Sequence, residues 1–154
     1  MHLDSNMTWK THIWNKRKQL GYKLSKMYWL LNRKSELSLE NKVLLYKSIL
    51  KPIWTYGIQL WGSASNSNIE ILERFQSKAL RILIDAPWFV SNEIIRRDLH
   101  IPTVKEEISN YGSLYINRLT NHPNQLANKL LEETSDRRRL KRFKPLDLQR
   151  RFNQ

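Results

Sequence analysis

Phosphoryl-transfer chemistry assisted by metal ions needs two or more carboxylates that converge on divalent cations. The five aspartates of this 154-residue chain, Asp4, Asp85, Asp98, Asp136 and Asp147, stand singly. Glu106–Glu107 and Glu132–Glu133 are adjacent pairs, and each is expected on a solvated helix face. The four histidines, His2, His12, His100 and His122, lie far apart without ligand spacing. With zero cysteines there is no zinc site, no disulfide framework and no thiolate nucleophile. No Gly-rich phosphate loop and no G-x-S-x-G turn occurs. The residues therefore assign no catalytic group and no metal ligand, and no cofactor is expected in this chain.

The basic residues offer binding instead of catalysis. Residues 1–34 hold eight Lys/Arg against Asp4, a balance of +7, and residues 134–154 hold eight against Asp136 and Asp147, a balance of +6. The ninety-nine residues between them carry eleven groups of each sign, so the whole excess of +13 sits at the two ends. Segregation on this scale points to a polyanionic partner, with nucleic acid the leading class and an anionic membrane surface or simple solubilisation as rivals. The candidate contacts are Lys10, Lys16, Arg17, Lys18, Lys23 and Lys26 near the start, and Arg137, Arg138, Arg139, Lys141 and Arg142 within DRRRLKRFK. That run also has the form of a nuclear-import address. A bland reading makes the first group the solvated face of a helix.

The elements that would carry these residues are helical throughout. Ile13, Leu20, Leu24, Met27, Tyr28 and Leu31 form one stripe, which predicts an amphipathic helix capped by Thr8 and reaching about Asn32. Ser38 opens a second helix whose stripe of Val43, Tyr46, Leu50, Ile53, Trp54, Gly57 and Trp61 runs through Pro52. A kink at Pro52, or two helices meeting at Leu50–Lys51, is expected there. Trp54 and Trp61 belong to a buried seam, with Gly57 as the small residue that lets another helix come close. Trp9, Trp14 and Trp29 flank lysines and stay ambiguous between core and contact, and Trp88 is expected to plug the bundle.

Ser67 and Glu70 have capping-box spacing ahead of a third helix that ends near Ile84. A short helix over Asn92–Leu99 follows. A second capping box, Thr103 with Glu106, then opens a helix to about Leu119, and a last helix covers about Asn124–Glu133. The expected fold class is all-α, an irregular bundle of about six helices with a disordered or loosely ordered basic C-terminal tail. No apolar run approaches the roughly 18–20 residues of a membrane span, and the first thirty residues are not a signal-peptide pattern. A non-secreted, intracellular protein, nuclear or cytoplasmic, with no membrane association is expected.

Four ordered blocks resemble the C-terminal part of jockey-like non-LTR retrotransposon reverse transcriptases. HLDSNMTWKTHI, with Leu3, Asp4, Trp9, His12 and Ile13, resembles the end of the palm in that family. YKSILKPIWTYGIQLWG (46–62) is similar to the helix that follows it, LERFQSKALRILIDAPWFVSNEIIRRDLHIPTVKEE (72–107) to the next block, and RRLKRFKPLDL (138–148) to the C-terminal end. The resemblance implies that residues 1–7 are a remnant of the palm's closing strand and turn. It makes 8–84 a thumb-like three-helix region, 85–133 a post-thumb helical region and 134–154 a basic tail. It further implies an RNA-directed DNA polymerase in which a Tyr-x-Asp-Asp motif and a further aspartate hold two magnesium ions. Neither element is present in this chain.

The expectation is therefore a polymerase fragment whose thumb-like region grips the template-primer duplex, RNA–DNA or DNA, through its phosphates and is inactive alone. Its partners would be nucleic acid and the missing palm and fingers of the same polymerase. The alternative is a non-enzymatic helical protein-interaction module, coopted, with basic ends that serve solubility or nuclear import.

Overall fold

A computed structural model of the chain describes residues 8–129, 131, 147–148 and 151–152. The described residues are all-α and contain no strand. The palm-strand remnant expected over residues 1–7 lies outside them, as does the arginine cluster Arg137–Arg142.

Helix α1 spans Lys10–Lys26 and starts one residue later than the Thr8 cap would set it. Trp9 precedes it in a left-handed conformation, with φ 60°, and makes no side-chain cap. What holds this uncommon backbone is tertiary. The buried Trp9 indole donates to Ser63 Oγ at 3.1 Å, and Asn68 Nδ2 donates to the Thr8 carbonyl at 3.2 Å. The helix also stops short of Asn32. It breaks at Met27, and a single turn, α2 (Tyr28–Leu31), continues the chain.

The second expected helix is four pieces. Ser38 caps α3 (Leu39–Leu45) by accepting from the Asn41 amide at 3.3 Å. A π-helical turn over Tyr46–Leu50 leads into α4 (Lys51–Thr55), and α5 (Ile58–Trp61) follows Gly57 at φ 68°. Pro52 has no amide proton, and its ring would press on the Ser48 carbonyl in a regular helix; the wider π turn relieves that conflict, and α4 starts at the Leu50–Lys51 junction expected from the sequence. Gly57 is therefore needed for its left-handed backbone. The close approach occurs instead at Gly62, where a Cβ would stand 2.9 Å from Ile108 Cγ2 and 2.6 Å from the Ile58 carbonyl oxygen.

Helix α6 (Asn66–Ile84) is the centre of the bundle and packs against α1, α3, α7 (Asn92–Asp98) and α8 (Val104–Thr120). Its cap is Ser65, which accepts from Asn68 N, and not the expected Ser67, whose hydroxyl bonds to Ser65 Oγ. The capping box of α8 forms as expected: Glu106 N donates to Thr103 Oγ1 at 3.1 Å and Thr103 N to Glu106 Oε2 at 2.8 Å. A shorter α9 (Gln125–Lys129) closes the described helices; the rest of the segment expected to reach Glu133 lies beyond them, apart from Leu131.

The core joins Ile13, Leu20 and Leu31 to Tyr46, Leu50, Trp54, Ile58 and Trp61, with α6 and α8 supplying Ile69, Leu72, Phe75, Leu80, Val104 and Ile108. The tryptophan seam is thus buried. Trp88 departs from expectation: it is 90% exposed in the loop between α6 and α7, edge-on to Phe89.

Polar side chains bridge the helices inside the bundle, although Gln76 Oε1 and Arg96 Nε have no hydrogen-bond partner among the described residues. Gln76 Nε2 donates to Tyr46 Oη at 3.2 Å and to the Pro102 carbonyl at 2.9 Å. Glu73 ties three helices together, accepting from Arg96 Nη2 of α7 at 3.0 Å and from the Lys105 amide in the first turn of α8 at 3.1 Å. Glu107, expected on a solvated face, is buried and pairs with Lys51.

Four residues of the tail region are described, and they are packed. Leu148 is fully buried, and Arg151 donates to the carbonyls of Gly62 and Ala64 at 2.5 and 2.6 Å. The loosely ordered reading of 134–154 therefore does not extend to these positions. Burial pushes the Arg151 guanidinium down to about 10, which leaves it charged at neutral pH.

Candidate nucleic-acid interface

Helix α1 contains no acidic residue. Its inner side is Ile13, Leu20 and Leu24, and its outer side holds Lys10, Lys18, Lys23 and Lys26, all exposed. Four of the six cations expected there are thus exposed, spread over the faces of α1 that the core does not cover. Arg17 is half-buried, with its guanidinium 5.0 Å from the centre of the Phe75 ring, so it stands at the border between core and solvent.

Lys16 is a correction. It is buried, its Nζ donates to the Ile53 carbonyl at 2.5 Å, and its ammonium lies 5.5 Å from the Tyr56 ring. Ile53 is in the last turn of α4, where carbonyls have no partner within the helix, so Lys16 closes that helix end. Burial holds its ammonium below the ordinary lysine value. Its ammonium is thus occupied within the fold and not presented to solvent. Lys42 acts in the same way, donating to the Asn32 carbonyl that follows α2 at 2.9 Å.

Sequence reasoning missed a second basic surface. A cleft of about 790 Å³ lies where α2 and the turn after it face the end of α6; Arg33, Lys34, Lys78, Arg81 and Asp85 line it, with Tyr28 on its wall. Arg81 uses its guanidinium on Asn92 Oδ1, the Pro87 carbonyl and the Val90 carbonyl, which fixes the loop. Arg33 lies 3.5 Å from Asp85 in an exposed pair. Lys34 and Lys78 are exposed at this cleft. They are too far apart in sequence for any short-range pattern to join them. Only the packing of α6 beside α1 and α2 does so.

The second cluster expected to bind, Arg137, Arg138, Arg139, Lys141 and Arg142, lies outside the described residues. Among the described residues, no three His, Asp or Glu come together as a metal site. Among the described residues no helix is long and apolar enough to cross a membrane.

The described residues thus form an all-α unit whose first helix carries exposed lysines and no carboxylate. Comparisons with known proteins place it in a family. Over 95% of its length the chain is 42% identical to the "Probable RNA-directed DNA polymerase from transposon X-element" of Drosophila melanogaster. It is 38% identical, again over 95%, to the "RNA-directed DNA polymerase from mobile element jockey" of that fly, and 39% identical over 91% to the polymerase of its transposon BS. The chain belongs with the RNA-directed DNA polymerases of jockey-type non-LTR elements. It spans 15 to 17% of the length of these curated relatives, so it corresponds to one segment of such a polymerase. No protein-family model matches the chain, and no solved structure does.

Proposed function

We propose that this segment is the thumb-like, duplex-gripping part of a retrotransposon RNA-directed DNA polymerase and performs no catalysis by itself. The observation that carries the reading is α1: a rigid helix with an apolar inner side, four exposed lysines on the outside and no carboxylate. Lys10, Lys18, Lys23 and Lys26, with Arg17 at the margin, would contact phosphates. A polymerase must move over any sequence, and phosphate contacts position a duplex without reading it. Lys34 and Lys78 would extend the same surface at the cleft. Magnesium chemistry would belong to a palm supplied by the remainder of the polymerase, and the whole would act inside the cell.

The test is a salt titration of the 154-residue chain on a 20-base-pair RNA–DNA hybrid. Log affinity should fall linearly with log salt, by about 0.9 per neutralised phosphate. Replacing Lys10, Lys18, Lys23 and Lys26 together with Gln should make the slope shallower by roughly 3.6. An affinity independent of salt, or no binding at low salt, would overturn the reading.

A further inference from the structure

We propose that the outer ridge of α1, Lys10–Trp14–Lys18–Tyr22–Lys26, continued by Trp29, is a platform for an unpaired nucleic-acid strand. The rings would stack on bases while the lysines hold phosphates. The inference rests on the nucleic-acid reading above and adds to it a single-stranded substrate.

Residues four apart on a helix are neighbours. This ridge alternates ammonium and aromatic ring at every such step, with a rise of about 6 Å from one to the next. A single extended nucleotide can bridge that distance. The rings are open to solvent: Trp14 is 48% exposed, Tyr22 61% and Trp29 69%. They lie away from Ile13, Leu20 and Leu24, so core packing does not account for them. Ring and charge meet at one step of the ridge, where Lys26 Nζ lies 4.5 Å from the centre of the Tyr22 ring.

Chemistry decides the occupant. A duplex hides its base faces within the stack and shows only edges in its grooves, so a flat exposed indole gains nothing from it. Unpaired bases offer a π-face at every position, and stacking on them tolerates any sequence. A protein partner is disfavoured, because the cores of protein interfaces are depleted in lysine whereas this ridge has one at every second step. The missing carboxylates on α1 leave the whole ridge attractive to a polyanion.

The experiment compares a fluorescein-labelled 20-nucleotide oligo(dT) with a 20-base-pair hybrid, using the full chain at fixed low salt. Trp14→Ala, Tyr22→Ala and Trp29→Ala should each weaken oligo(dT) binding by about 5- to 100-fold, and hybrid affinity should change less than about threefold. The triple variant with Phe at all three positions should recover most of the loss, which separates stacking from misfolding. If the triple Ala variant, still helical by circular dichroism, binds oligo(dT) like the parent chain, the platform is wrong even where hybrid binding stands. Equal loss on both probes would also overturn it. So would sedimentation of the parent chain as a dimer that the Ala variant dissociates without changing oligo(dT) affinity, since the rings would then cover a second copy. If the parent chain binds neither probe, the nucleic-acid reading itself falls.

Discussion

The ammonium of Lys16 donates to the carbonyl oxygen of Ile53 across 2.5 Å, joining the buried side of α1 to the end of α4. A cation that composition counts toward polyanion binding is in this way an internal helix terminator. Lys42 on Asn32 and Arg151 on Gly62 and Ala64 repeat the device at the ends of α2 and α5. Cations suit these places because the last carbonyls of a helix are unpaired and carry its negative dipole end.

Lys16→Met should therefore lower stability, by about 1–3 kcal/mol, because the Ile53 carbonyl loses its donor while the apolar stem is kept. It should leave the salt slope of hybrid binding unchanged. Lys18→Gln should do the reverse, leaving stability unaltered and making the slope shallower by roughly 1. Urea denaturation and salt titration of the two variants check both halves.

Gly62→Ala should cost about 1–3 kcal/mol through overpacking. Its new methyl would meet the Ile58 carbonyl at 2.6 Å, Ile108 Cγ2 at 2.9 Å and Leu148 Cδ1 at 3.3 Å, and backbone cannot yield as a flexible side chain would. The same denaturation measurement tests this, and a variant as stable as the parent would show that α5 and α8 can move apart.

Burial raises the Tyr46 phenol to about 12. Because the folded value lies above the unfolded one, near 10, this group's contribution is complete below pH 10 and is lost as the pH rises toward 12. Tyr46→Phe cannot ionise. It should cost about 1 kcal/mol at pH 8, where Gln76 loses an acceptor, and this deficit should shrink or reverse by pH 11. Urea midpoints of both proteins at the two pH values decide it; a constant deficit would argue against a buried, neutral phenol.

Two tryptophans should separate core from surface. Trp54, 1% exposed, should cost about 3–5 kcal/mol on replacement by Ala. Trp88, 90% exposed, should change stability by less than about 0.5 kcal/mol. Thermal melts of the two variants are sufficient.

Several local patterns survived. The Ser38 cap, the Thr103–Glu106 box, the end of α6 at Ile84 and the burial of Trp54 and Trp61 all follow from residues within a turn or two of one another. Within its own neighbourhood the cap of α6 shifted by two residues to Ser65, and the junction expected at Leu50–Lys51 is present, as a π turn ending at Leu50 with α4 starting at Lys51. Other expectations failed where a distant group decided the outcome: the start of α1 is set by Ser63 and Asn68. Glu107 looked solvated because nothing near it in sequence announces Lys51, 56 positions away.

By itself the sequence determined the all-α class, the apolar stripe of each long helix, the segregation of charge and the kinship to jockey-type polymerases, since these depend on periodicity, composition and ordered blocks of residues. Only the tertiary structure decided which cations are free. A helix has several sides. Which of them a neighbour covers, and which lysine meets an orphaned carbonyl instead of water, depends on how α1, α4 and α6 pack, a relation between residues far apart in the chain.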